Sequence, residues 1–251
     1  MYVHPDINPV FINFIGIKIY WYGLFYSIST IILYKLIIRR HKTILKKIRF
    51  NSLFIYIIIG IIFGGKLGVI LYDNQKDIIL ILKFWTPGRS FYSGFLTVSF
   101  IIYIHSIYYK YNIFYATDII TKYIPIGITL CRIGNFINSE LYGTITKSYI
   151  GIIFSEGGPN PRHPTQLYEA FIEGILIYII LSFFKKTKKG INTSIFLILY
   201  GLFRFFIELF KNQYYLLNIP IDKTLSVIMF LSGIIILTRT KLITFMKNIY
   251  T

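Results

Sequence analysis

One cysteine, Cys131, in a chain of 251 residues excludes an internal disulfide and any cysteine-based metal site. Flanked by apolar residues, that thiol reads as a small buried side chain rather than a nucleophile. Histidine is nearly as scarce. His4, His41, His105 and His163 show no ligand spacing, and the carboxylates do not pair as a metal site requires, so neither a metal nor another cofactor is expected. Acid is short too: ten Asp and Glu stand against 27 Lys and Arg, a formal net charge of +17. That sign would suit a nucleic acid, but the cations cluster between apolar runs and no aromatic-plus-basic binding module is present, which argues against a nucleic-acid partner. A removable signal peptide is also not expected. Met1 to Phe14 has no basic n-region and carries His4, Asp6 and two prolines, and no small-residue cleavage site follows the first apolar run.

What is abundant is apolar. A hydrophobic fraction of 55%, a mean hydropathy of +0.62 and only 15% charged residues place the chain in the multi-span membrane class, as one all-α integral membrane domain covering 1–251. Runs of about 20 residues, enough to cross the hydrocarbon layer, lie near 15–38, 50–72, 91–109, 113–137, 165–184, 194–211 and 221–241, about seven spans in all. The third and fourth, separated by Tyr109 to Asn112, form a tight helical hairpin. Arg39, Arg40, Lys42, Lys46, Lys47 and Arg49 crowd the first connection, and Lys185, Lys186, Lys188 and Lys189 fill the fifth. Lys110 lies in the third, and Arg239, Lys241 and Lys247 follow the last run. The positive-inside rule then places the N-terminus outside and the C-terminus in the cytoplasm. No internal repeat is visible, which removes the usual pointer to an inverted-repeat transporter.

This orientation brings three polar regions to the outer side. In the first, Cys131-Arg132-Ile133-Gly134-Asn135-Phe136-Ile137-Asn138-Ser139-Glu140-Leu141-Tyr142-Gly143, an arginine, asparagines and a carboxylate follow a run that reads as membrane-buried. An arginine at that depth costs about 2.5–3.5 kcal/mol on insertion scales, so it faces a protein interior or a wet cavity. Continued as a helix, Arg132, Asn135, Ser139 and Tyr142 fall within about 80° of one another and form one polar stripe. Gly134 beside them permits close approach of a headgroup or another helix. The loop Ser139 to His163 that follows is long enough to be functional. The second region is Trp85 to Gly94. The third lies on the sixth span, where Tyr200, Arg204 and Glu208, spaced by four, share one face. At the start of the fifth span, His163-Pro164-Thr165-Gln166-Leu167-Tyr168-Glu169 is a helix start with Pro164 in its first turn. Its polar side chains suit either an interfacial cluster or a site. Trp21 and Tyr22 suit an interfacial aromatic belt.

The order of residues in these segments adds a resemblance. Arg132 through Gly143 resembles the signature segment of the bacterial prolipoprotein diacylglyceryl transferases, with Ser139 and Cys131 each standing where that family usually has glycine. Gly201 through Glu208 is similar to the family's second arginine segment, His163 through Glu169 to its His-Pro-x-Gln-Leu-Tyr-Glu motif, and Trp21-Tyr22-Gly23-Leu24 to its Trp-Tyr-Gly-Leu. One departure stands out. Ser90-Phe91-Tyr92-Ser93-Gly94 replaces a Ser-Phe-His-Gly-Gly element whose histidine is often assigned as the base. A tyrosine, with a reference pKa of about 10, is a poor base unless a cation lowers it. Either Tyr92 works beside an arginine, or base duty falls elsewhere, or the thiol needs no dedicated histidine.

The resemblance implies a transferase of the bacterial cytoplasmic (inner) membrane that takes the first step of lipoprotein biosynthesis. It moves diacylglyceryl from phosphatidylglycerol to the lipobox cysteine of a prolipoprotein, forming a thioether and releasing glycerol phosphate. Carried onto this chain, it implies catalytic roles for Arg132, Arg204, Tyr22 and Tyr92. Arg132, Asn135, Glu140, Glu208 and His163 would bind phosphatidylglycerol. The competing class is a non-enzymatic transporter or flippase for an anionic lipid, which would bind headgroups with the same arginines and break no bond.

Overall fold

The computed structural model describes residues 2–5, 7–14, 17–72, 91–184, 188–212, 215–216 and 219–249. The chain divides into two compact units, Met1–Leu36 with Ile120–Thr251, and Ile37–Ile119. The architecture is mostly helical. Among the described residues, six helices are long and apolar enough to cross a membrane: Trp21–Arg40, Phe50–Gly68, Phe91–Tyr108, Thr165–Phe183, Ile191–Phe210 and Ile221–Thr240. Leu96, Phe100, Ile107, Phe171, Phe206 and Leu231 on these helices are exposed, as befits a polytopic membrane protein whose outer surface meets lipid rather than water.

In the Ile37–Ile119 unit, a short basic helix, α2 (Lys42–Lys47), precedes α3 (Phe50–Tyr72) and α4 (Phe91–Tyr108), which pack as an antiparallel pair. The Ser93 hydroxyl donates to the Gly64 carbonyl at 2.5 Å, fixing the register of the pair at its α4 start. At the other end, His105 Nδ1 lies 2.8 Å from the Tyr111 hydroxyl and Nε2 lies 3.3 Å from that of Ser52. Burial pushes Tyr111 up to about 12, so its phenol stays protonated beside the ring. Helix α4 stops because Lys110 adopts a left-handed φ of 51°, with the N–H groups of Lys110 and Tyr111 closing on the Ile107 and Ser106 carbonyls. Residues 73–90, which include the Trp85 to Ser90 part of the second polar region, lie outside the described residues.

The larger unit opens with β1 (Tyr2–Val3) and a hairpin of β2 (Val10–Phe14) and β3 (Ile17–Tyr20) that leads into α1 (Trp21–Arg40). The first span was expected from about residue 15. Its helix begins only at Trp21, because the alternating β-branched run Ile17–Tyr20 pairs with Val10–Phe14 instead. Helix α5 (Phe114–Ile137) is not one of the six apolar helices, and carries Asp118, Lys122 and Arg132 as well as an internal Pro125. The loop after it folds into a small cluster of bridges. Arg162 pairs antiparallel with Ile145 and with Ile152, and β4 (Ile152–Ile153) pairs in parallel with β1. The N-terminal segment is thereby tied to the C-terminal end of α5: His4 Nε2 lies 2.8 Å from the Phe136 carbonyl, and its ring stacks on Phe154 at 5.3 Å.

The next span is continuous but not uniform. It runs through α6 (Thr165–Glu169), a π-helical stretch Ala170–Leu176, and α7 (Ile177–Phe183). A plain helix was expected here. The widened turn has a partner in α5, where Thr129 Oγ1 lies 3.1 Å from the Pro125 carbonyl and 3.3 Å from that of Ala170, sharing its proton between them. Helix α8 (Ile191–Ile207) continues as a 3-10 turn, Glu208–Phe210, and a two-residue pair β5 (Tyr215–Leu216) with β6 (Ile219–Pro220) leads to α9 (Ile221–Ile249). Helices α8 and α9 make backbone-close contact. A Cβ on Gly201 would stand 2.6 Å from both the Phe230 nitrogen and the Ser226 carbonyl oxygen, so only glycine fits that crossing.

Candidate active site

Arg132 comes from the last turns of α5, and how that helix stops decides where its neighbours point. The polar stripe expected from a continued helix does not form. Ser139 takes a left-handed φ of 57°, its N–H bonds the Phe136 carbonyl at 2.9 Å, and the Glu140 N–H returns to the Asn135 carbonyl at 3.1 Å. These two bonds are those of a Schellman cap, which ends the helix after Ile137 and turns Ser139 and Tyr142 off the Arg132 face. The cap explains why glycine suits position 139. A side chain in that conformation costs about 1–2 kcal/mol, and here the serine hydroxyl is also buried without a hydrogen-bond partner among the described residues. Ser139→Gly is therefore expected to stabilise the protein by about 1 kcal/mol, net of glycine's greater freedom when unfolded. Thermal unfolding of the detergent-solubilised protein checks this; an unchanged or lower midpoint would mean that the cap is not under strain.

The capped turn organises a set of amides. Glu140 Oε1 accepts from Asn135 Nδ2 at 3.1 Å and from Asn138 Nδ2 at 3.2 Å, while the Glu140 carbonyl accepts from Gln166 Nε2 at 2.6 Å. The Thr165 hydroxyl donates to the Leu141 carbonyl at 2.9 Å, so the first turn of α6 is bound to the turn that ends α5. Asn135 and Glu140 thus hold each other, and the group that holds Arg132 is a different one.

That group is Glu169. Its side chain has no exposed surface, and cations reach it from three places: Arg132 Nε on α5 at 2.9 Å, Arg204 Nη1 on α8 at 2.6 Å and Lys211 Nζ beyond α8 at 2.9 Å. Arg204 also meets Glu208 through Nη2 at 2.8 Å, one helical turn along, and Glu173 through Nη1 at 3.4 Å. The expected line of Tyr200, Arg204 and Glu208 is present as a buried face, with Arg204 only 5% exposed. Two separate helices therefore deliver their guanidinium groups to one place, as the burial of both arginines in apolar runs demands. Among the described residues, Arg132 is bound only through its Nε. Its two terminal amino groups have no protein partner among the described residues, and 12% of its side chain is accessible. A guanidinium held along one edge keeps a planar pair of donors for an anion of matching geometry, such as a phosphate.

The other expected residues lie as follows. Tyr22, in the first turn of α1, stands against the α5 backbone at Gly134, where a Cβ would come within 3.3 Å of its Cα; the close neighbour there is a helix. His163 Nδ1 is 3.2 Å from the Tyr168 hydroxyl, and its ring lies 4.9 Å from that of Phe210. Burial holds this imidazole below its ordinary value, so it is neutral at pH 7. Tyr92, 4% exposed in the first turn of α4, belongs to the Ile37–Ile119 unit. Sequence reasoning missed Glu173 and Lys211 and treated Glu169 only as part of a motif. The signal for the acids was available: Glu169 and Glu173 recur four apart inside a run apolar enough to span, and ionisable groups there are functional by default. Among the described residues no group of His, Cys, Asp and Glu has the arrangement of a metal site.

Residues 9–239 match the family described as prolipoprotein diacylglyceryl transferase. Proteins named phosphatidylglycerol–prolipoprotein diacylglyceryl transferase are similar over nearly the whole chain. That of Rickettsia felis is 41% identical over 246 residues, covering 91% of this chain and 95% of its own. That of Rickettsia typhi is 39% identical over 252 residues, covering 94% and 97%, and that of Rickettsia canadensis 43% over 222 residues, covering 84% and 86%. With the motifs, the buried arginine pair and this extent of similarity in agreement, the chain belongs to the prolipoprotein diacylglyceryl transferase family.

Proposed function

We propose that this chain transfers the diacylglyceryl group of phosphatidylglycerol to the lipobox cysteine thiol of prolipoproteins, the reaction its relatives are named for. The observation that carries the reading is the Arg132 guanidinium, held by Glu169 through Nε and presenting both terminal nitrogens at the edge of a buried cluster. Those nitrogens grip the anionic phosphodiester. The thiolate sulfur attacks the glyceryl carbon, a C–S bond forms, the C–O bond to phosphate breaks, and glycerol phosphate departs with the bonding electrons. Arg204, positioned by Glu169 and Glu208, stabilises the charge that grows on the departing oxygen. Asn135, Glu140 and His163 line the headgroup side, and Tyr22 orients the headgroup or thiol. Tyr92 stands where the family motif has its histidine.

For topology, we read α5 as a further span, giving seven, with the N-terminus and the 139–163 loop on the periplasmic side of the cytoplasmic membrane. The His4 contact with the end of α5 supports this, because it puts the N-terminus and that loop on one side. The cations of the 39–49 connection then fall in the cytoplasm, as the charge rule requires.

The test is reconstitution of the purified chain with phosphatidylglycerol and a lipobox peptide. Expected products are a thioether-linked diacylglyceryl peptide and free glycerol phosphate in equal amounts. Lipid movement between leaflets with neither product would instead establish the transporter reading.

A further inference from the structure

Glu173 is the carboxyl of the buried cluster to which neither the motifs nor the proposed chemistry give a task. The cluster holds three cations, Arg132, Arg204 and Lys211, and three carboxyls, Glu169, Glu173 and Glu208. With every group ionised its formal charge is zero. A phosphodiester brings one further negative charge, and an uncompensated charge in a dry protein interior is strongly unfavourable. One carboxyl must then be neutral when the lipid is bound.

The geometry separates the three candidates. Glu169 is within 2.9 Å of all three cations, and Glu208 lies 2.8 Å from Arg204 Nη2. Glu173 reaches only Arg204, at 3.4 Å, through a nitrogen already 2.6 Å from Glu169. Its side chain is fully buried and its Oε2 has no hydrogen-bond partner among the described residues. The charged groups facing it are Arg204 on α8, Arg132 on α5, Lys211 beyond α8, and Glu169 one turn earlier on its own span. It is therefore the carboxyl that gives up least ionic contact by being neutral. Its place is also fixed, because it sits in the π-helical stretch whose Gly174 abuts Thr129 of α5.

We propose that Glu173 sets the headgroup charge this site accepts. It carries a proton whenever the phosphodiester is bound, so that a lipid with a single negative charge enters without leaving excess charge behind. The proton comes from water at the membrane surface, and no bond of the lipid changes. This inference rests on reading the site as one for phosphatidylglycerol.

The experiment titrates the full chain, in phosphatidylcholine nanodiscs, with short-chain phosphatidylglycerol between about pH 6 and pH 10. Retaining a proton that the free site loses makes the wild-type Kd rise about tenfold per pH unit at the alkaline end. Glu173→Gln loses that slope, and Glu173→Leu serves if the amide does not accumulate. Lys211→Arg keeps the slope, which separates Glu173 from titration of the lysine. A flat wild-type profile, or a folded Glu173→Gln with the wild-type slope, overturns the proposal. If neither Glu173 variant accumulates, calorimetry of the wild type at the alkaline end, where the free site has lost its proton, in two buffers of different ionisation heat decides it: about one proton taken up per lipid supports it, and none overturns it. Failure to bind phosphatidylglycerol at all, or to form thioether product, counts against the functional reading instead. Binding and transfer with a flat profile count against Glu173 alone.

Discussion

Arg132→Ala lowers diacylglyceryl transfer by about two to three orders of magnitude, the loss expected when a donor aimed at developing charge is removed from a site that excludes water. Two effects combine. The phosphate loses its paired donors, and Glu169 loses the cation that reaches its Oε2 at 2.9 Å, although Arg204 and Lys211 still hold its other oxygen. Arg132→Lys separates them. A lysine restores a positive charge near Glu169 but offers a compact ammonium instead of a planar fork, so the folded protein recovers stability more fully than rate. The measurement is initial rate on a lipobox peptide in membranes where each variant accumulates, beside thermal unfolding of the purified proteins. Wild-type rates in either variant would remove Arg132 from the chemistry.

Glu169→Gln is expected to do more damage to the protein itself. The wild-type carboxylate neutralises a cluster in which cations from α5, α8 and the segment after α8 all lie within 2.9 Å of it. An amide of nearly the same shape leaves those charges facing one another without their shared counter-ion. Removing one partner of a buried ionic network costs about 3–5 kcal/mol, which is a large part of what holds a domain folded. Low accumulation, a depressed unfolding midpoint and transfer reduced about a hundredfold or more are expected together. Glu169→Asp tests reach rather than charge. One methylene shorter, it cannot touch both arginines at once, so it keeps more stability than the glutamine variant while still losing rate. If Glu169→Gln unfolds and turns over like the wild type, Glu169 is not the anchor of the arginine pair.

These two residues show how unevenly the site was legible. Arg132 and Arg204 stood out in the sequence because each is a cation in an apolar run, an anomaly visible over a window of a few residues. Glu208 was found for the same reason, since a spacing of four is the period of the helix that carries it. Glu169 was written in a motif, but its role as the meeting point was not. Its partners lie at positions 132, 204 and 211, and no local period relates positions on different helices. Lys211 gave no sign of itself because a lysine just past an apolar run is ordinary snorkelling chemistry until a buried carboxylate is found beside it.

The same division runs through the fold. Helix existence was readable along most of the chain, because long apolar runs must satisfy their backbone internally and in lipid the helix does so. Where helices begin and end was less so. The strand at Ile17–Tyr20 takes residues from the first apolar run because Val10–Phe14 is there to pair with it, and the Schellman cap at Ser139 breaks a stripe that helical periodicity would have continued. By itself, then, the amino-acid order determined that this is a polytopic helical membrane protein carrying arginines that need anions, since hydrophobicity and charge burial are properties of short stretches. Tertiary structure alone decided that α5 and α8 bring those arginines to one carboxylate, and that Glu173 and Lys211 complete the cluster. Which charges become neighbours depends on how distant helices pack, and that is set by contacts such as Gly134 on Tyr22 and Gly201 on Phe230 rather than by any pattern within one segment.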